Sequence, residues 1–149
     1  MRKFGLIGFP LGHSFSKKFF SEKFENECID ARYDLYELTN IGEFQNLRNT
    51  VNISGLNVTI PYKEQVIPML DRLDETAAHI GAVNVIRFDY DKNGKATLTG
   101  FNTDAIGFGN SLKPYLKSYH NKALILGTGG ASKAILYTLQ KLGIECRYV

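Results

Sequence analysis

Ile53-Ser54-Gly55-Leu56-Asn57-Val58-Thr59-Ile60-Pro61-Tyr62-Lys63 is the stretch on which the fold turns. Its β-branched residues predict a strand over 53–60, and Pro61, which has no N–H for a sheet ladder, halts it. In a strand that reads as buried, polar Asn57 and Thr59 near its end stand out. Alternation in a strand sends both to one face. Lys63 follows in the first turn of the next helix.

Working upstream, residues 3–8 read as a short buried strand ended by the turn Phe9-Pro10-Leu11-Gly12. Ser14 or Ser16 can cap a helix running to about Cys28, with Phe15, Phe19, Phe20 and Phe24 on its apolar side. A second strand is expected over 33–38 and a polar, helix-permissive segment over 41–49. The order β-α-β-α-β favours a mainly parallel sheet flanked by helices, an α/β fold. Downstream, 63–70 and 71–80 suggest two short helices with Pro68 disturbing the join. Strands over 84–90 and 95–99 flank Asp91-Lys92-Asn93-Gly94, a strong hairpin signal.

From Thr103 the pattern changes. Ile106, Phe108, Leu112 and Leu116 suggest the apolar face of a bridging helix, followed by polar residues 117–121. Residues 122–126 then form a buried strand, Gly127-Thr128-Gly129-Gly130 a glycine loop, and 131–142 a helix closed by Gly143. This is the first part of a Rossmann-like domain. The expected organisation is a substrate-binding and catalytic domain over 1–103, a bridging helix and linker over 104–120, and the start of a dinucleotide-binding domain over 121–149. One β-α-β unit is too little for a stable doubly wound sheet, so a fragment of a longer protein is expected.

Composition excludes several classes. Of 149 residues, 44% are hydrophobic and 22% charged, which is ordinary for a globular protein. No apolar run approaches membrane-spanning length, and the first residues lack a signal-peptide core, so a cytoplasmic location is expected. The net charge of +3 is spread along the chain, which argues against nucleic acid and suits an anionic small-molecule substrate. Cys28 and Cys146 stand alone, so neither a disulfide framework nor a metal site is expected.

Three polar segments carry chemistry. Ser14 and Ser16 stand around a helix start, Asn57 and Thr59 precede Lys63, and Asn102-Thr103-Asp104 opens the bridging helix. Each singly is readily structural: a cap, an edge strand, an acidic helix N-terminus. Together they are complementary. A lysine that is partly desolvated near a helix N-terminus gives up its proton more readily than a free one, and an aspartate there is favoured as an anion that can hold it. Such a pair can move a proton to or from a substrate hydroxyl while hydride passes to a nicotinamide. The glycine loop, placed between strand and helix, offers backbone N–H groups to a pyrophosphate.

Gly12-His13-Ser14-Phe15-Ser16, residues 57–63, Gly81-Ala82-Val83-Asn84, Gly100-Phe101-Asn102-Thr103-Asp104 and Gly127-Thr128-Gly129-Gly130-Ala131 resemble, in order, the signatures of shikimate dehydrogenases. The resemblance implies NADP-dependent reduction of 3-dehydroshikimate to shikimate in aromatic amino-acid biosynthesis. By motif position it makes Lys63 the acid–base residue and Asp104 its partner. Ser14, Ser16, Asn57, Thr59, Lys63, Asn84 and Asp104 would bind substrate, with the two serines on its carboxylate. Gly127, Thr128, Gly129, Gly130 and Ala131 would hold the cofactor pyrophosphate. Lys17 and Val85 depart from the family pattern, which often has proline and threonine there. The family's grip on the NADP 2′-phosphate and a substrate-touching glutamine fall outside these residues, so NAD is not excluded and little or no activity is expected of the 149-residue chain alone. An NAD-using quinate/shikimate dehydrogenase and a non-catalytic shikimate-binding module are the alternatives. A homodimer is compatible with the sequence.

Overall fold

The computed structural model describes residues 1–49 and 53–149. A six-stranded sheet forms the larger layer, in the order β2-β1-β3-β5-β6-β4. At its centre β1 (Arg2–Gly8) runs parallel to both β2 (Ala31–Glu37) and β3 (Ile53–Val58). β5 (Val85–Tyr90) lies antiparallel to β3, and β6 (Ala96–Phe101) antiparallel to β5. The two-residue β4 (Arg72–Leu73) pairs in parallel with β6 at the edge. The parallel part expected from the β-α-β-α-β order is therefore present, and the hairpin adds an antiparallel flank. Gly94 takes a positive φ of 78° at the hairpin turn, where Asp91 Oδ1 accepts from the N–H groups of Asn93 and Lys95.

Alternation divides the sheet into two faces. Ile7, Leu56, Val58, Ile86 and Phe88 point into the main core, beneath Phe44 of α2 (Phe44–Arg48) and Tyr62 of α3 (Tyr62–Gln65). Ile7, Phe44, Ile53, Ile86 and Leu98 are fully buried, each contributing roughly 1.5–3 kcal/mol of apolar transfer. The opposite face carries Phe4, Leu6, Tyr33 and Leu35, packed against Phe20 and Phe24 of α1 (Ser16–Asn26). Phe15 and Phe19 form the neighbouring stripe of that helix and stay exposed, at 69% and 46%. The expected four-phenylalanine face is thus half right: residues 20 and 24 face the sheet, whereas 15 and 19 lie one position round the helix.

The segment 71–80 is not one helix. Asp71 accepts from the Leu98 N–H at 2.8 Å and from Arg48 at 2.6 Å, which holds the chain extended through β4. Asp74 then caps α4 (Glu75–Ile80) by accepting from the N–H groups of Thr76 and Ala77, and Gly81 closes it in the left-handed region.

After β6, α5 (Asp104–Leu112) and a following 3-10 turn lead to a second, parallel pair, β7 (Lys122–Ile125) and β8 (Glu145–Tyr148), joined through α6 (Gly130–Lys141). Phe108, Leu112 and Leu116 pack on Ile125, Leu139 and Ile144. Ile106 does not join them and is 60% exposed. Two residues on a 3.6-residue helix are turned about 200° apart, so 106 and 108 cannot share a face. α5 also packs on α6: Thr138 Oγ1 donates to the Ala105 carbonyl, and Ala105, Ala134, Ile80 and Ala82 form a small shared core. Among the described residues, no helix is long and apolar enough to cross a membrane.

Candidate active site

The polar residues singled out in the sequence gather where β1 and β3 end and where the chain enters β5 and leaves β6. β5 runs opposite to β3, so Asn84, just before β5, stands beside the end of β3: the Val58 N–H donates to the Asn84 carbonyl at 2.8 Å. β6 returns to the same edge, which brings Asn102, Thr103 and Asp104 there as well.

Lys63 sits in a helix of four residues anchored by Tyr62, whose phenol donates to the Leu38 carbonyl at 2.6 Å. So short a helix has little dipole, and the lysine is held chiefly by a partner. Lys63 Nζ donates to Asp104 Oδ2 at 2.7 Å, with the lysine side chain 15% exposed and the aspartate 38%. The other carboxylate oxygen accepts from Asn84 Nδ2 at 2.7 Å. Asn84 is itself fixed: its Oδ1 accepts from the Thr103 N–H at 2.8 Å, and its Nδ2 also reaches Thr103 Oγ1 at 3.0 Å. Lys63, Asn84 and Asp104 therefore form one hydrogen-bonded chain from three separate elements.

Buried Asn102, 2% exposed, supports this chain from below. Its Nδ2 donates to the Ala82 carbonyl at 2.9 Å and its Oδ1 accepts from the Ala105 N–H at 3.3 Å. The Val83 N–H in turn donates to the Lys63 carbonyl at 2.7 Å.

Ser14, Ser16 and Thr59 line one open cavity of about 310 Å³ with Leu6, Pro10, Leu11 and His13. Neither serine caps α1 in the expected way. Ser14 Oγ accepts from the Ser16 N–H at 3.3 Å, while the cap position is Phe15, without a side-chain bond. The Ser16 side chain lies near the Tyr33 phenol instead. Asn57 stands on the same sheet face as Thr59 and accepts the Tyr33 O–H at 2.7 Å. A second cavity of about 360 Å³ beside Asn57 is lined mainly by Phe4, Phe20, Phe24, Leu56, Val85 and Phe101. It is apolar and includes neither Lys63 nor Asp104, so the chemistry lies with the polar edge.

The glycine loop approaches from the other side. Gly127 has a φ of 95°, a region that favours glycine, and Gly129 precedes α6 in extended conformation with no side-chain cap. A Cβ at Gly130 would lie 3.1 Å from Lys63 Cβ and 3.2 Å from Ala82 Cβ, so the loop rests on the stem of Lys63. These residues fit a pyrophosphate: α6 has no side-chain cap, so its first-turn N–H groups are left for a ligand. Lys133, in that first turn, also pairs with Glu64 at 2.5 Å.

Sequence reasoning passes over Tyr33 and the Glu64–Lys133 pair. For Tyr33 the available signal is a hydroxyl-bearing aromatic at an inward strand position. For Glu64 and Lys133, separated by 69 residues, no local signal exists. Among the described residues, no group of His, Cys, Asp or Glu is placed to hold a metal ion, and both cysteines are free.

Comparison with known proteins gives the family. The chain is 42% identical over 147 residues to the NADP(+) shikimate dehydrogenase of Aquifex aeolicus, covering 95% of this chain and 52% of that protein. The crystal structure of shikimate dehydrogenase 1 from Peptoclostridium difficile superposes with a TM-score of 0.86 at 37% identity, over 99% of this chain and 54% of that one. Shikimate 5-dehydrogenase from Thermus thermophilus, solved with NADP(H) and shikimate, gives a TM-score of 0.81 at 31% identity, over 99% and 55%. The chain thus spans about half the length of the relatives it matches. The family model for the shikimate dehydrogenase substrate binding domain matches residues 6–86, which contain the end of β1, β2 to β4, α1 to α4 and Lys63, and the chain belongs to that family.

Proposed function

We propose that the protein carrying this chain reduces 3-dehydroshikimate to shikimate, reversibly and with NADP. The observation that carries the reading is the Lys63–Asp104 contact of 2.7 Å, braced by Asn84 and pressed against the glycine loop. The Thermus thermophilus relative, solved with NADP(H) and shikimate, supports the choice of ligands.

In this reading Ser14 and Ser16 take the substrate carboxylate, and Asn57, Thr59, Asn84 and Asp104 take its hydroxyls. In the reduction Lys63, as an ammonium, donates its proton to the carbonyl oxygen as that oxygen gains negative charge, and in the oxidation neutral Lys63 takes the hydroxyl proton. Asp104 accepts the lysine hydrogen bond, fixes Nζ in place and offsets its charge. The nicotinamide supplies or accepts the hydride when bound. Gly127, Thr128, Gly129, Gly130 and Ala131 would hold its pyrophosphate, with Gly130 setting how closely the loop meets Lys63.

The division 1–103, 104–120 and 121–149 is supported by the first sheet ending at Phe101 and the second beginning at Lys122. The reading places the protein in the cytoplasm, and a homodimer is to be tested by sedimentation.

The experiment is steady-state turnover of the complete gene product with shikimate and NADP, or NAD, and with quinate as competing substrate. Lys63→Ala should lower kcat by about 10²–10⁴-fold while shikimate affinity changes far less. Wild-type kcat in that variant would overturn the assignment. Binding without any turnover in the wild type would mark a non-catalytic module.

A further inference from the structure

We propose that Tyr33 is a positioning residue of the substrate cleft, fixing Asn57 at the end of β3 through one buried hydroxyl. The inference rests on the shikimate reading above and adds a residue to it.

Tyr33 belongs to β2, two strands from Asn57, because β1 lies between β2 and β3. Its Cα pairs with Phe4, and Leu6 pairs with both Leu35 and Asn57. Tyr33 and Asn57 thus lie on one sheet face, diagonally across β1. The ring is 3% exposed and stacks on Phe20, with centroids 4.6 Å apart and planes 12° apart. Such packing leaves the phenol little freedom. Its O–H donates to Asn57 Oδ1 at 2.7 Å.

The consequence is directional. A primary amide has an acceptor end and a donor end, and here the acceptor end is occupied. Asn57, on the same sheet face as Thr59, then has Nδ2, with its two hydrogens, left to meet a ligand. A substrate hydroxyl or carboxylate oxygen meets a donor. Burial pushes the Tyr33 phenol up to about 12, so the proton that orients Asn57 is retained throughout the neutral pH range. Loss of the hydroxyl frees Asn57 to rotate, while the Phe20 stack survives.

The test is Tyr33→Phe in the complete gene product, assayed against both shikimate and NADP. A lost hydrogen bond that orients a buried amide is worth about 1–2 kcal/mol, or roughly 5–30-fold in affinity. The expected result is a rise of about that factor in KM for shikimate, with KM for NADP unchanged and the loss in kcat much smaller. Tyr33→Phe on top of Asn57→Ala should add little, since its effect runs through Asn57. A role in packing alone would change both KM values alike, or neither, and the two substitutions would then add. An unchanged KM for shikimate in an active Tyr33→Phe protein overturns the proposal alone. A wild-type protein that neither binds nor turns over shikimate overturns the reading beneath it, and the proposal with it.

Discussion

Replacing Asn102 by alanine removes a side chain that makes two hydrogen bonds in a place water does not reach. Asn102 is 2% exposed, and the groups it serves belong to Ala82 and Ala105, at 0% and 5%. The substitution strips the Ala82 carbonyl of a 2.9 Å donor and the Ala105 N–H of a 3.3 Å acceptor. A buried group left unpaired costs about 1–3 kcal/mol. The longer bond serves a first-turn N–H that would be unpaired in any helix, so the carbonyl carries most of the loss. We expect about 2–4 kcal/mol in all, including a small cavity, out of a total stability of roughly 5–15 kcal/mol. In a chain of this size each kcal/mol moves Tm by about 2–4 °C. The assay is urea unfolding followed by circular dichroism, with the midpoint lowered and the slope unchanged. Asn102→Asp should do no better, because it keeps the acceptor and loses the donor. A change below about 0.5 kcal/mol, the level of an ordinary surface substitution, would refute the view that Asn102 fastens α5 to the Ala82 segment before β5.

Three further outcomes follow from the structure. The Leu98 N–H and the Arg48 guanidinium hold the Asp71 carboxyl below the usual carboxylate range, so the folded state binds its proton less readily than the unfolded one. Its contribution is full above the unfolded value of about 3.9 and is lost as pH falls through the folded value; the Tm gap between wild type and Asp71→Asn should hold steady near neutrality and close in acid. Gly130→Ala puts a Cβ against Lys63 and Ala82, and kcat should fall more than stability, whereas equal kcat would show that the loop tolerates displacement. Lys133→Met should cost under about 1 kcal/mol, since both partners are partly exposed, and the loss should shrink with added salt; a salt-independent loss would point to packing instead.

What the sequence discloses depends on how local each determinant is. Pro61 and the β-branched run identify β3, and the alternation of Asn57 and Thr59 gives their shared face. The glycine loop and Lys63 are readable for the same reason, since each lies within one short motif. The antiparallel half of the sheet follows from the Asn93-Gly94 turn, but no local pattern fixes a strand order of 2-1-3-5-6-4. β4 reads as helix from sequence because Asp71 is satisfied by Leu98, 27 positions away. The expectation for Ile106 fails on helical angle, and that for Phe15 and Phe19 fails because two adjacent stripes pass for one. A capping role for the serines is the natural local reading, but the cap position falls on Phe15 between them. Tyr33 itself is only a strand residue until the register sets it diagonally opposite Asn57.

The most direct measurement is a two-dimensional NMR titration of the complete gene product with shikimate, without cofactor. The account predicts shifts concentrated at Ser14, Ser16, Asn57, Thr59, Lys63, Asn84 and Asp104, with the second sheet around β7 and β8 nearly silent. A well-resolved spectrum that does not respond, or one that responds chiefly at the apolar cavity around Phe24 and Phe101, would contradict it.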